Sequence, residues 1–310
     1  MGKHTSEIST LKTATWLALA TAAISGVSNF VNKYAVTAVK DPVAFTTLKN
    51  ALVAVFLVGL ILAMKKKTEI ASLDRKQWAA LVAIGVIGGS IPFALFFTGL
   101  TQTSAINASL IHKTLFVWVI LLAAPLLKER MSPLQWLGVA AIFGANLLVG
   151  GFAGFKFNGG ELMILAATLF WAVENIIAKK ALDGISSTTV AAARMVIGSL
   201  VLLPIAAWRG GLAGLVGMQP SHWGWTVLAT ALLAGYVLTW YAALKRAPAS
   251  YVAALLVPAT LVTNALSAIF VTHSFAGRQL VSAALWIAGS ALVIAFARRL
   301  PTTAVQPANA

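Results

Sequence analysis

Ten apolar runs of 19 to 24 residues follow one another along this chain, and few charges interrupt them. They cover residues 14–37, 43–63, 78–101, 104–125, 134–152, 160–180, 187–208, 223–244, 249–271 and 279–297. A helix rises 1.5 Å per residue, so each run can cross a hydrocarbon core of about 30 Å. Apolar residues make up 59% of the chain and charged residues 10%, too few to hydrate a soluble fold of 310 residues. Lipid is the solvent that such a composition requires, and with no water to bond backbone amides the runs must close their hydrogen bonds internally, as helices. The expected fold is an all-α membrane protein of ten transmembrane helices.

A net charge of +15 would suggest nucleic acid if the basic residues clustered on one soluble surface. They sort by membrane side instead. With the N-terminus placed in the cytoplasm, inner segments collect fifteen lysines and arginines, among them Lys65, Lys66, Lys67, Arg298 and Arg299. Outer segments hold four: Lys40, Lys156, Arg209 and Arg278. That asymmetry predicts cytoplasmic termini at both ends and attraction to anionic headgroups, with the lipid bilayer and no nucleic acid as partner. The chain has no cysteine, which excludes disulfides, thiolate metal sites and cysteine nucleophiles. The first run is 24 residues long and ends among Asn29, Asn32 and Lys33, so it is expected to stay as a span rather than be cleaved as a signal.

The second half repeats the first. Residues 25–35, SGVSNFVNKYA, align with 171–181, WAVENIIAKKA, pairing Asn29 with Asn175 and Lys33 with Lys179. An offset of 145 pairs Lys49 with Arg194 and Gly144 with Gly289. Five spans per half is an odd number, so the second copy enters the membrane from the opposite side. The expected organisation is a cytoplasmic segment 1–13, a first five-helix unit 14–152, an outer linker 153–159, a second unit 160–297 and a cytoplasmic tail 298–310.

Ionisable groups inside a span cost several kcal/mol unless paired or hydrated, so each needs a reason. Lys49 and Arg194 sit at matching depths, which fits bonds to neighbouring carbonyls or attraction of an anionic solute. His112 and Lys113 lie near the middle of the fourth run, and Lys113 has the greater need of a counter-charge. Glu174 is the only carboxylate deep in a run and could neutralise Lys113, Arg194 or Lys49. Trp171, three residues earlier, shares its helical face. Such a wall could hold an ammonium and an apolar side chain together. Trp16, Trp78, Trp136, Trp208, Trp223 and Trp225 fall at run ends and read as interfacial anchors. Trp286, in the tenth run, is expected at the periphery. Gly88, Gly89 and Pro92 in the third run, Pro204 in the seventh and Pro258 in the ninth weaken mid-span hydrogen bonds and could expose carbonyls to a ligand.

The segment KERMSPLQWLGVAAIFGANLLV, Lys128 to Val149, sets Glu129 nine residues before Gly138, with Gly144 beyond. With the basic residue in the second helix of each half and the five-plus-five arrangement, it resembles the EamA-type members of the drug/metabolite transporter superfamily. Among bacterial members the YddG-type exporters of aromatic and other neutral amino acids look most similar. In the second half the position equivalent to Glu129 falls on His273, so that copy of the motif is degenerate. The resemblance implies a secondary transporter in the bacterial inner membrane, exporting small neutral metabolites, aromatic amino acids foremost, by alternating access. It also implies a cavity walled by helices one, three, four, six, eight and nine. With the polar inventory this gives the expected substrate-binding residues: Phe96, His112, Lys113, Trp171, Glu174, Asn175, Tyr236 and Trp240. No cofactor, metal or enzymatic activity is expected, and a monomer is the simplest assembly.

Other classes find less support. A hydrolase would have to rely on Ser90 and His112 with no orienting carboxylate. The four histidines show no ligand spacing, and no phosphate-loop motif is present. A channel, a non-transporting scaffold, or a carrier of nucleotide sugars or drugs remains as the alternative.

Overall fold

The computed structural model describes residues 2–38, 41–103, 105–150, 156–215, 218–273 and 277–297. Lys40, the start of the expected linker at 153–155 and the expected tail at 298–310 lie outside these residues. The described residues form helices and turns, with no strand among them. In chain order the helices are α1 (Gly2–Ala38), α2 (Pro42–Ala63), α3 (Lys67–Ala71), α4 (Arg75–Ala83), α5 (Ile91–Leu100), α6 (Ala105–Lys113), α7 (Leu115–Leu127), α8 (Pro133–Gly150), α9 (Gly159–Ala181), α10 (Ser187–Trp208), α11 (Pro220–Arg246), α12 (Ala249–Leu256), α13 (Ala259–Ser267) and α14 (Gly277–Ala297). Among the described residues, eight segments are long and apolar enough to cross a membrane. Of the ten expected spans, 134–152 and 279–297 correspond to shorter apolar stretches, Pro133–Ala145 and Leu280–Ala295.

Local chemistry sets the helix starts. Asp41 accepts from the amides of Val43 and Ala44, and Pro42, which has no amide hydrogen to satisfy, opens α2. Ser186 accepts from the Thr189 amide at the start of α10, and Asn158 from the Glu161 amide at the start of α9. The offset of 145 that pairs Lys49 with Arg194 also carries the Asp41 cap onto the Ser186 cap, and both helices run for 22 residues.

Three of the expected spans are broken. The third passes from α4 through a π-helical turn, Ile84–Gly88, before α5 begins. Pro92 causes part of this, because it has no N–H to give the carbonyl of Gly88 four residues earlier. The fourth stops at Lys113 and restarts at Leu115. The ninth stops at Leu256 and restarts at Ala259, across Val257 and Pro258. Applied to Lys113, the offset of 145 lands on Pro258, so the two fourth helices break at matching places.

The packing partners exchange when the halves are swapped. The first helix, α1, lies along α11 and along α12 and α13; its counterpart α9 lies along α5 and along α6 and α7. The two second helices, α2 and α10, pack on each other, as do α8 and α14. Small residues let the last pair approach closely. A Cβ on Gly138 would lie 2.6 Å from the carbonyl oxygen of Gly289, and the converse distance is also 2.6 Å. This contact overturns the expectation for Trp286, which is 1% exposed in the main apolar core rather than peripheral. By contrast Trp16, Trp78, Trp136, Trp208, Trp223 and Trp225 are all exposed, with Trp208 reaching 89%. Exposed Val55, Leu162, Leu200 and Ile287 continue the apolar outer surface that lipid would cover.

Candidate functional site

The breaks in the fourth and ninth spans face one another across a cleft of about 100 Å³. His112, Lys113, Leu115 and Phe116 line it from the α6–α7 break, and Leu256, Val257 and Ala259 from the α12–α13 break. Ser25 and Asn29 enter from α1, Trp240 from α11 and Ala253 from α12. At the first break the Thr114 amide reaches back only three residues, to the Ile111 carbonyl at 3.0 Å. The Thr114 hydroxyl bonds the same carbonyl and accepts from Trp118 Nε1 at 2.9 Å, which holds the bend. At the second break Pro258 cannot donate to the Ala254 carbonyl, and the Val257 amide takes it instead at 3.4 Å.

Two polar side chains of the cleft are unmatched. Lys113 forms no ion pair; among the described residues Arg209 with Asp41, at 3.7 Å, is the ion pair observed. His112 Nδ1 is buried without a hydrogen-bond partner. Among the described residues no Asp or Glu lines the cleft. The His112 ring is fixed by packing, edge to face with Trp171 at 4.8 Å and with Phe96 at 5.4 Å. Trp240 stacks on Tyr236, with ring planes 6° apart and centroids at 6.2 Å.

Behind the aromatic wall lies a second polar cluster, built on the carbonyl that Pro92 leaves free. Gly88 O accepts from Trp171 Nε1 at 3.0 Å and from Arg194 Nη2 at 3.1 Å. Glu174 is 1% exposed, accepts from the Tyr241 hydroxyl at 2.6 Å and is attracted by the Arg194 guanidinium. Glycine suits position 88, since a Cβ there would run into the Glu174 side chain. The neighbouring Gly89 carbonyl accepts from Asn50 Nδ2 at 3.5 Å. The carbonyls expected to be open to a ligand at Gly88 and Gly89 are therefore taken by protein donors. Ser90, weighed as a nucleophile, is fully buried and donates to the Val86 carbonyl at 2.9 Å.

The structure thus brings His112, Lys113 and Trp240 to the cleft, sets Phe96, Trp171 and Tyr236 one layer behind, and seals Glu174 in the Gly88 cluster. Asn175 is 4% exposed and donates to the Trp171 carbonyl at 2.9 Å. Its repeat counterpart Asn29 is the one that reaches the cleft, with Ser25 one turn earlier. Asn175 was named from the sequence as a candidate, and the repeat alignment carried Asn29 beside it. Lys49, the counterpart of Arg194, donates to Asn32 Oδ1 at 3.4 Å and lies 5.3 Å above the Phe45 ring.

Two carboxylates clasp the halves together at opposite ends of the α6–α7 segment. Just past α7, Glu129 accepts from the amides of Ala249 and Ser250 at 2.7 and 2.9 Å and from the Ser250 hydroxyl at 2.5 Å. It thereby caps α12, where a negative charge also meets the positive end of the helix dipole. At the other end Glu161, in the first turn of α9, accepts from Asn107 Nδ2 at 2.6 Å and Thr103 Oγ1 at 3.4 Å, and from the amides of Lys156 and Phe157. His273, where the repeat would set a second Glu129, is exposed in a left-handed turn with φ 49°. Glu161 holds the start of the fourth helix in the first half as Glu129 holds it in the second.

The EamA-like transporter family matches this chain twice, over residues 12–151 and 158–295. The chain is 31% identical over 159 residues to YyaM of Bacillus subtilis, named an uncharacterized transporter, across 48% of this chain and 51% of that one. An uncharacterized transporter of Methanothermobacter thermautotrophicus is 26% identical over 232 residues, across 73% and 67%. The chain spans between about half and two thirds of the length of these relatives. A solved crystal structure superposes with a TM-score of 0.77 over 94% of this chain and 99% of that one, at 18% identity, a likeness of fold.

Proposed function

Because the chain belongs to the EamA-like transporter family, and is therefore a multi-pass membrane protein, we propose that it is a secondary transporter that moves small metabolites through the cleft between its two helix breaks. The substrate class is a carboxylate-bearing molecule with an apolar body, a description that aromatic amino acids fit, and the direction is export, as in the YddG-type exporters. Lys113 meets the carboxylate, Asn29, Ser25 and His112 offer neutral hydrogen bonds, and Trp240 and Phe116 receive the apolar body. Phe96, Trp171 and Tyr236 position those rings. Glu174 and Asn175 hold the wall in place.

One observation carries this reading: a cleft with unmatched polar groups lies where two matching helices lose their regularity. Broken helices of this kind supply solute sites in inverted-repeat transporters. The repeat is supported by the common offset of the α2 and α10 caps and by the exchangeable packing partners. Ten spans in two inverted units, 14–152 and 160–297, with both termini in the cytoplasm of a bacterial cell and a monomer in the inner membrane, complete the proposal. Alternating access would release the Glu129 clasp and the Glu161 clasp in turn.

The test is counterflow. Purified protein in liposomes loaded with unlabelled tryptophan or phenylalanine should accumulate the labelled amino acid transiently and saturably. Ionic conductance without saturation would indicate a channel. No flux of any metabolite in an amino-acid, nucleotide-sugar and drug panel would indicate a scaffold.

A further inference from the structure

Among the described residues, the cleft is lined by one cationic side chain and no anionic one. Lys113 lines it without an ion-pair partner, and the carboxylate that could have neutralised it is committed elsewhere. Glu174 lies behind the aromatic wall, bonded to Tyr241 and attracted by Arg194. The other polar lining groups, Ser25, Asn29 and His112, can donate or accept without supplying a negative charge. We infer that the site selects for net charge: it takes monoanionic carboxylates with an aromatic or apolar body in preference to zwitterions, and excludes cations. This rests on the cleft proposed above as the solute site.

The physical argument is local. A carboxylate bonded to the Lys113 ammonium gains a charge-assisted hydrogen bond in surroundings of low dielectric. An α-ammonium on the same molecule is held within a few ångströms of that carboxylate, hence close to Lys113, where like charges repel. No carboxylate in the cleft offsets that repulsion. A solute with an amine alone meets the repulsion without the attraction. Selectivity therefore comes from what the cleft lacks as much as from what it offers.

Three probes with the same indole ring separate these cases: indole-3-propionate as the anion, tryptophan as the zwitterion and tryptamine as the cation. Binding is measured by titration calorimetry on the purified full-length protein. Indole-3-propionate should bind about tenfold more tightly than tryptophan, the factor that one such charge contact is worth, with tryptamine weakest. Lys113→Gln should bring the three within about threefold of one another, whereas Lys113→Arg should keep the order. Both variants should elute as single monodisperse species, and Lys113→Arg guards against a loss that merely reflects misfolding. Tighter binding of tryptophan or tryptamine, an order unchanged in Lys113→Gln, or no binding of any probe would overturn the inference. Counterflow reads the transport proposal separately: charge selection with no flux would sink transport alone, and flux without charge selection would sink this inference alone.

Discussion

Two polar clusters lie inside the bundle a few side chains apart, and they differ in how completely they are matched. Around Gly88 the freed carbonyl has two donors, the Glu174 carboxylate accepts from a hydroxyl and is attracted by the Arg194 guanidinium, and the space for a Cβ is already filled, while Arg194 Nε and Asn50 Oδ1 stay without a partner. In the cleft Lys113 has no counter-ion and His112 Nδ1 no partner. Polar groups away from water are tolerated when matched, so the Gly88 carbonyl and the Glu174 carboxylate at the centre of the first cluster are accounted for by protein partners. The second makes sense once a solute or water is added. Charge within a span is thus read best by its partners, and the residues conspicuous in sequence for their charge divide into an architectural group and a solute-facing group.

The largest expected effect comes from unmatching the matched cluster. Arg194→Leu removes the charge opposite Glu174 and one donor to Gly88 O, and should cost about 3 kcal/mol, with a marked fall in the thermal midpoint in detergent. Lys113→Gln should leave that midpoint nearly unchanged while altering solute binding. If the two variants lose stability equally, the division between the clusters is wrong. Next, Gly88→Ala should cost about 2 kcal/mol, because the new methyl can enter only by displacing Glu174.

Glu129→Ala strips the cap from α12 and leaves two amides without their acceptor, for about 1.5 kcal/mol by the same measurement. Trp171→Phe keeps a ring against His112 but deletes the donor to Gly88 O, at about 1 kcal/mol; Arg194 still holds the carbonyl. Trp208→Ala, at an exposed position, should change stability by less than about 0.5 kcal/mol. It is the appropriate neutral control, since Trp286 is buried.

What could be read from the sequence was what lipid and chain periodicity dictate locally. Eight of the apolar runs coincide with helices long enough to cross a membrane among the described residues, the tryptophans at run ends are exposed, and Pro258 marks one break by its missing N–H. The break at Thr114 carried no such mark, because Lys113-Thr114-Leu115 contains neither proline nor glycine. Of the groups around Glu174, Arg194 was one of three cations the sequence offered, whereas Gly88 and Tyr241 come from other segments and only packing brings them together. Glu161 is an acidic residue in a first helical turn, and nothing local reveals that it reaches Asn107 and Thr103. Asn29 is the instructive omission, since the repeat alignment named it as the counterpart of Asn175.

The central claim is that one cleft at the paired helix breaks opens in turn to both faces of the membrane. The natural absence of cysteine makes a direct measurement possible. Asn29→Cys puts a single thiol in the cleft, and a membrane-impermeant thiol reagent can be applied to right-side-out and to inside-out vesicles. The account predicts modification from both sides, slowed in each case by saturating substrate. Modification from one side only, or at a rate that substrate does not change, would contradict it.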